Sequence, residues 1–308
     1  MTNEASINPL TELNNPTEIS KGFGLWVIVG LCWAAFIFVL GQIFDWGTLK
    51  EISLVSDAMQ AAVAAVAVLM AWRVTKHPAI DAAARRFWRI LTFAYFSYAC
   101  GHSLWFYYSS VLEIEPFPSW ADVGFLGFYP LMLWALLAFP TDQNSRSDRR
   151  TLVMDIAIVM LAGTMTVWHF IVQPTLATVT DADWLTPILN ISYTVGDMVL
   201  MLGITTILLR RVNAVSRRTL WLIVFGLINT SIADFGFAYL TLQGTYFSGH
   251  WIDNFFISGM LFTMIASHFQ YQQLNKQTVR EEAKDQSETA HSFGWLPYSA
   301  VLIGCGLL

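Results

Sequence analysis

Eight apolar segments, each close to the length of a membrane-spanning helix, recur along this chain of 308 residues. A spanning helix needs about 20 mostly apolar residues. The predicted spans are residues 24–44, 54–73, 87–110, 119–139, 152–173, 185–209, 219–243 and 251–272. Only 13% of the residues are charged, about half of what a soluble domain carries. We therefore expect an all-α polytopic membrane protein with eight transmembrane helices, embedded in a lipid bilayer.

The basic residues predict how this chain is oriented in the membrane. All 17 Lys and Arg residues except Lys50 lie on one side of the apolar segments. Short basic loops stay in the cytoplasm, so residues 1–21 are a predicted cytoplasmic tail, 140–151 a cytoplasmic loop and 273–294 a cytoplasmic connector. The first 20 residues contain no Lys or Arg, which argues against a signal peptide. We expect the first helix to remain as an uncleaved anchor.

A ninth apolar run covers residues 295–308. It is too short to span a bilayer comfortably. We expect it to be the start of a further, truncated ninth transmembrane helix in a longer protein.

The two halves of the chain share a sequence pattern. A double arginine precedes the third and seventh spans, a Trp-x-Asp motif begins the fourth and eighth, and a glycine follows. The matching pairs are Arg85-Arg86 with Arg217-Arg218, Trp120-Ala121-Asp122 with Trp251-Ile252-Asp253, and Gly127 with Gly259. The pattern predicts a tandem four-helix repeat over residues 22–139 and 152–272, with both copies in the same orientation. The alternative is that two unrelated membrane hairpins look alike.

Polar residues within the spans gather toward the predicted outer side. An ionisable side chain inside a bilayer costs a few kcal/mol, so each is a functional candidate. The candidate ligand-binding residues are Asp57, His102, Asp122, His169, Asn190, Asp197, Asp234 and Asp253. If the helices form one bundle, these side chains converge on a cavity that is open to the outside and binds a small ligand or ion. Asp197 and Asp234 lie too deep to cap a helix, so each needs a buried partner or a water-filled pocket.

Several of these candidates also have a purely structural interpretation. Asp122 and Asp253 lie at helix starts, where a carboxylate accepts hydrogen bonds from free backbone N–H groups. His102 and His169 can each be satisfied by an interhelical hydrogen bond. Both interpretations stay open for these four residues.

The cofactor is undetermined by the sequence. Histidine with carboxylate suits zinc or another divalent metal, and histidines from different helices can ligate haem. Neither HxxxH nor HExxH spacing occurs in the chain. A metal therefore stays an alternative without a motif to support it.

Two further features concern the shape of the outer half. Pro130 removes the hydrogen bond to the carbonyl of Leu126 and predicts a kink in the fourth span. A kink beside an outer cavity is either a movable element or a static one. The aromatic run at 105–108 predicts an interfacial belt.

One stretch of the chain resembles a known family. Pro118-Ser119-Trp120-Ala121-Asp122, continuing to Tyr129-Pro130, resembles a P-S-x-A-D…Y-P signature. That signature belongs to the multi-pass N-terminal membrane modules of bacterial GGDEF/EAL proteins, which are diguanylate cyclases and phosphodiesterases. Trp295-Leu296-Pro297-Tyr298 resembles the start of a later helix in those modules, so the resemblance extends over residues 85–308.

The resemblance implies a signal-transduction sensor in the bacterial cytoplasmic (inner) membrane. Such a sensor relays an extracytoplasmic signal to a cytoplasmic output domain in cis that makes or degrades cyclic di-GMP, and a homodimer is a further expected partner. No GGDEF or EAL sequence occurs in this chain, so no catalytic residue is assigned. The alternatives are a transporter or channel, favoured by the repeat and the buried charges, and an intramembrane metal-dependent enzyme using the histidines. Nothing in the charge pattern resembles a nucleic-acid-binding face.

Overall fold

The computed structural model describes residues 16–139, 154, 157–158, 161–165, 168–177, 184–208 and 217–293. Within these residues the chain is helical and contains no strand. The helices are α1 (Pro16–Ile43), α2 (Leu49–Thr75), α3 (Ala82–Phe106), α4 (Ala121–Leu137), α5 (Gln173–Ala177), α6 (Leu185–Leu208), α7 (Arg217–Leu242) and α8 (Asp253–Phe293). The π-helical turns Tyr107–Val111 and Trp168–Val172 follow α3 and precede α5. The predicted 140–151 loop, the 295–308 run and residues 1–15 of the tail lie outside the described residues.

Four of the helices are long and apolar enough to cross a membrane. They are α1 over Gly24–Ile43, α2, α6 and α7. Helix α4 is apolar but has 17 residues, which corresponds to about 26 Å. Helices α3 and α8 are less apolar, because α3 has three arginines near its start and α8 ends in a long polar segment. The fold is therefore helical with the character of a membrane protein.

The distribution of polar and apolar side chains supports contact with lipid. Large apolar side chains face outward, including Trp26 at 73% and Met165 at 66% exposure. Carboxyl groups lie inside, with Asp197 and Asp253 both at 0%. An apolar surface of this extent marks an interaction with membrane or protein. Buried carboxyl groups surrounded by an apolar exterior are the arrangement expected of a bundle in a bilayer.

Glycines bring the helices of two hairpins into close contact. A Cβ atom on Gly124 of α4 would lie 2.5 Å from the backbone nitrogen of Gly101 in α3. In the second hairpin, a Cβ atom on Gly226 of α7 would lie 2.8 Å from the carbonyl oxygen of Gly259 in α8. Small residues of this kind let membrane helices pack backbone against backbone. Helix α8 also packs against α2 and α1, and α4 packs against α6, which closes the bundle.

The two ends of the bundle differ in their side chains. At one end, His77 Nε2 lies 3.0 Å from Asn275 Oδ1, and the guanidinium of Arg73 lies 5.2 Å from the Tyr271 ring centre. This end also carries the double arginines, and we call it the inner end. At the other end, which we call the outer end, Lys50 Nζ lies 2.6 Å from a carboxylate oxygen of Glu113.

Helix α8 is much longer than a single membrane span. It contains 41 residues, which corresponds to about 60 Å, or twice the hydrocarbon thickness of a bilayer. The eighth predicted span and the predicted 273–294 connector are one helix as far as Phe293. No helix break separates the predicted eighth span from the polar segment that follows it.

The inner half of the bundle is filled with apolar side chains. Phe87, Trp88 and Leu91 of α3 are fully buried. They are joined there by Met132, Leu136, Ile223, Leu227 and Met264. The inner half is therefore mainly apolar, with small buried polar side chains such as Thr219 and Ser267, and the buried carboxyl groups of the described residues lie outside it.

Candidate functional site

A cavity lies in the outer half of the bundle, between six helices and the loop that joins α7 to α8. It offers about 40 Å³ to the centres of water molecules. Its described lining residues are Gln60, Tyr98, His102, Trp105, Asp122, Phe125, Tyr129, Tyr193, Asp234, Phe237, Tyr246 and Phe256. Two carboxyl groups, one imidazole and a mostly aromatic wall thus meet in one place.

Helix α3 supplies one wall of the cavity. Tyr98, His102 and Trp105 are spaced four and three residues apart, which places them on one helix face. The His102 ring lies 4.6 Å from the Tyr98 ring and 4.9 Å from the ring of Phe125. Within the described part of the chain, His102 Nε2 and the Tyr98 hydroxyl have no hydrogen-bond partner. The interhelical hydrogen bond considered for His102 is therefore not made by Nε2, and both residues line the cavity.

Asp122 and Asp253 make the hydrogen bonds expected of residues at helix starts. Asp122 accepts a hydrogen bond of 2.7 Å from the backbone N–H of Ser119, and Asp253 accepts one of 2.7 Å from Gly249. Asp122 also accepts a hydrogen bond from the hydroxyl of Tyr193. Both carboxyl groups thus accept a backbone hydrogen bond at a helix start, and Asp122 also lines the cavity.

Asp234 and Asp197 lie deeper, on adjacent helices. Tyr129 donates a hydrogen bond of 2.9 Å to Asp234, and Ser231 donates one of 2.8 Å to Asp197. Asp234 keeps 9% of its surface exposed, whereas Asp197 is at 0%. Asp234 is therefore the deep carboxyl group that reaches the cavity, and Asp197 lies behind it.

The loop between α7 and α8, residues 243–252, covers the outer end of the cavity, and we call it the outer loop. Tyr246 of this loop lines the cavity, and its hydroxyl donates to Asp253 over 3.2 Å. Ser248 donates to Asp57 and accepts a hydrogen bond of 3.2 Å from Trp105 Nε1. Asp57 is therefore buried beneath the outer loop and does not line the cavity.

Gly249 holds the outer loop against the bundle. Its carbonyl accepts a hydrogen bond of 2.9 Å from the side chain of Gln42 in α1. Its φ is +90°, and a Cβ atom there would lie 2.9 Å from Ile52. A side chain at this position would be strained and would push the loop away from α2.

Five of the eight predicted candidates are not among the described residues that line the cavity: Asp57, His169, Asn190, Asp197 and Asp253. His169, in the π-helical turn Trp168–Val172, is exposed, with its ring next to Phe170. Asn190 and Asp57 are buried at 4% and 1% exposure but lie outside the lining.

The prediction that the aromatic residues 105–108 form an interfacial belt is wrong for Trp105. Trp105 is buried at 8% exposure and lines the cavity, while Tyr107 is 47% exposed. The reason is the face of α3: Trp105 continues the stripe of Tyr98 and His102, and the residues after it turn outward. This stripe, with spacings of four and three, was the signal in the sequence that could have identified Trp105.

Most of the aromatic lining was missed by reasoning from charged residues alone. Tyr98, Tyr193 and Tyr246 contribute hydroxyl groups, and Gln60 of α2 contributes an amide. Their contribution depends on which helices are neighbours, and the sequence does not state this. Tyr129 was marked only by the adjacent proline.

The described part of the lining carries no permanently cationic side chain and no metal-binding cluster. Neither Lys nor Arg is among the described residues that line the cavity. Over the described residues, no group of three or more His, Cys, Asp and Glu is arranged to hold a metal ion. The site is thus acidic and aromatic, and its donor set does not favour a metal.

No protein-family model, no curated protein and no solved structure matches this chain. Function must therefore be inferred from the residues and contacts of the molecule itself.

Proposed function

We propose that this chain is a membrane-integral sensory module that binds a small ligand from the outer side and relays binding to the cytoplasm. The observation that carries the proposal is the path of α8. This helix begins at the outer loop, contributes Phe256 to the cavity, and continues without a break to Phe293. A ligand that shifts α8 at the cavity would move its inner extension as well.

In this proposal all eight predicted spans cross a bacterial cytoplasmic membrane, with the N-terminus in the cytoplasm. The clustering of described basic residues at the inner end supports this orientation. The tandem repeat is part of the proposal. His102 follows Arg85 by the same number of residues as Asp234 follows Arg217. His102 and Asp234 both line the cavity.

The relay starts from the contacts that join helices at the cavity. Tyr129 donates a hydrogen bond to Asp234 in α7, and the next residue, Pro130, weakens α4 at this point. A ligand that binds Asp234 therefore competes with the Tyr129 hydroxyl where α4 is weak. At the inner end, the hydrogen bond between His77 and Asn275 reports the position of α8. Two arrangements of these contacts with different ligand affinity are all that a switch requires.

A channel or transporter is less well supported. A conduction path needs polar groups through both halves of the bundle, and the inner half is filled by side chains such as Trp88, Met132 and Leu227. The packed inner half favours a receptor, which transmits motion, rather than a pore, which conducts solute.

The relay is tested with spin labels at the inner end. Labels are attached at Lys76→Cys and Val279→Cys, both exposed positions. The background has Cys32, Cys100 and Cys305 replaced by Ser, and the protein is studied in lipid nanodiscs. We expect Asp234→Asn to change the distance between the labels by roughly 2 Å, the size of a typical helix shift. The matched control is Tyr239→Phe, which lies on α7 but is 51% exposed. Identical distance distributions in wild type, Asp234→Asn and Asp122→Asn would contradict the relay.

The type of output is tested separately in cells. By resemblance, the output is a GGDEF-type domain, so cellular cyclic di-GMP is measured for the complete gene carrying Asp234→Asn or Asp197→Asn. We expect a change relative to the Tyr239→Phe control. Unchanged cyclic di-GMP together with a changed label distance would reject the GGDEF output and leave the sensory module in place.

A further inference from the structure

The wall of the cavity is built mainly from aromatic rings. Tyr98, Trp105, Phe125, Tyr129 and Phe256 come from three different helices and surround the same space. Tyr98 and Phe125 lie 5.5 Å apart between ring centres, and Trp105 and Phe125 lie 6.2 Å apart. The faces of aromatic rings carry partial negative charge, and a cage of such rings favours a cation.

The polar groups in the wall favour the same charge. Asp234 and Asp122 face the cavity, and no Lys or Arg is among its described lining residues. A buried carboxylate without a cation is costly, so the cavity is stabilised by a positive ligand. The Tyr98 hydroxyl and His102 Nε2, which are more than nine-tenths buried, also lack a partner within the described residues. They are polar contacts still available to a ligand.

The size of the cavity limits the ligand to a small molecule. If the 40 Å³ available to water centres is treated as a sphere, its radius is about 2.1 Å, and the radius of water adds about 1.4 Å. A space of roughly 3.5 Å radius accommodates a methylated ammonium group. A bare metal ion would leave most of the rings without contact, and over the described residues no metal-binding cluster is present.

We propose that this cavity binds a small alkylammonium cation, with its charged nitrogen beside Asp234 and its alkyl groups against the rings of Trp105, Phe125 and Phe256. The proposal deepens the sensory function proposed above and rests on it. Asp122 supplies the second negative group.

The charge requirement is tested with a pair of ligands that share one shape. The probe is choline, and its control is 3,3-dimethylbutan-1-ol, in which carbon replaces the charged nitrogen. Binding to the purified full chain in nanodiscs is measured by equilibrium dialysis of radiolabelled choline, with the alcohol and tetramethylammonium as competitors. We expect the two cations to bind at least about tenfold more tightly than the alcohol, the effect of desolvated cation–π contacts.

Variants measured in the same binding assay identify the residues that contact choline. Asp234→Asn is expected to weaken choline binding about tenfold or more, and Phe125→Leu by several-fold through loss of a ring. Tyr98→Phe keeps the ring and loses only the hydroxyl, so its effect should be smaller than that of Phe125→Leu. Tyr239→Phe on the outside of α7 is the control and should bind as wild type does. The ligand pair is compared on wild-type protein, so a variant that fails to fold does not decide the test.

Two results would overturn the proposal. One is equal binding of choline and the neutral alcohol, and the other is the absence of binding by either cation up to about 10 mM. If the spin labels at the inner end still respond to Asp234→Asn in that case, the cation is wrong and the sensory module stands. If choline binds at Asp234 but leaves the label distance unchanged, the cation site stands and the relay is wrong.

Discussion

Replacement of Gly124 by alanine should separate α3 from α4. The added Cβ would lie 2.5 Å from the backbone nitrogen of Gly101 and 2.8 Å from the carbonyl oxygen of Ser97. Ordinary contact begins at 3.4 Å, so one helix has to move by roughly 0.9 Å. The atoms in the way are backbone and cannot rotate aside. Overpacking of this kind costs about 1–3 kcal/mol of unfolding free energy.

The matched control is Gly30→Ala in α1. A Cβ atom on Gly30 meets no atom within 4 Å. Alanine is the better helix former, so this variant should be neutral or more stable by up to about 1 kcal/mol. Both variants gain the same propensity, and the difference between them isolates the contact between the helices.

The assay is reversible unfolding of the purified protein in mixed micelles, followed by circular dichroism as the denaturing detergent is raised. We expect Gly124→Ala to be less stable than Gly30→Ala by about 2 kcal/mol. The same shift should loosen the cavity, because His102 follows Gly101 directly and Asp122 lies close to Gly124 in α4. A Gly124→Ala protein as stable as Gly30→Ala would refute the reasoning that backbone contact at this glycine holds the hairpin together.

Two further predictions concern hydrogen bonds at the cavity and at the outer surface. A double-mutant cycle of Tyr129→Phe and Asp234→Asn should give a coupling free energy of about 0.6–1.7 kcal/mol in the same unfolding assay, between the average and the maximum for hydrogen bonds within membrane proteins. If the effects of the two substitutions are additive, the 2.9 Å contact contributes nothing to stability. At the outer end, the hydrogen bond and then the charge of Lys50 lower the pKa of Glu113. The folded pKa lies below the unfolded one, so the small stabilisation is present at neutral pH and is lost as pH falls through the lowered pKa. Lys50→Met should remove this acid-dependent part of the unfolding curve, and an unchanged pH profile would show that the pair is not formed.

The helical, membrane-like character of the chain could be predicted from sequence because it depends on local properties. Runs such as 24–44 and 185–209 are long and apolar enough by composition alone, and the structure contains helices there that meet the length and hydropathy of a span. The mainly apolar inner half agrees with the scarcity of ionisable residues there, where Asp155 and His268 are the exceptions. The eight-span count and the repeat are still proposals. Helices α3, α4 and α8 are shorter or more polar than a typical span, and part of the fifth predicted span, 152–173, lies outside the described residues.

The candidate site was only partly predictable. Charge alone marked His102, Asp122 and Asp234, because an ionisable group within an apolar helix is rare and costly. Charge also marked His169, whose side chain is exposed and does not line the cavity. The sequence could not distinguish them, since the inward face of a helix is set by its neighbours.

By itself, then, the sequence determined the helices, their membrane-like character and the rarity of buried charge, since these follow from the composition of each segment. Only the tertiary structure decided which charges meet and what surrounds them. Tyr129 reaches Asp234, Tyr193 reaches Asp122 and Trp105 joins the lining, through contacts between residues far apart in the chain. Such contacts depend on glycine spacing, helix rotation and the outer loop acting together, and no single segment contains that information.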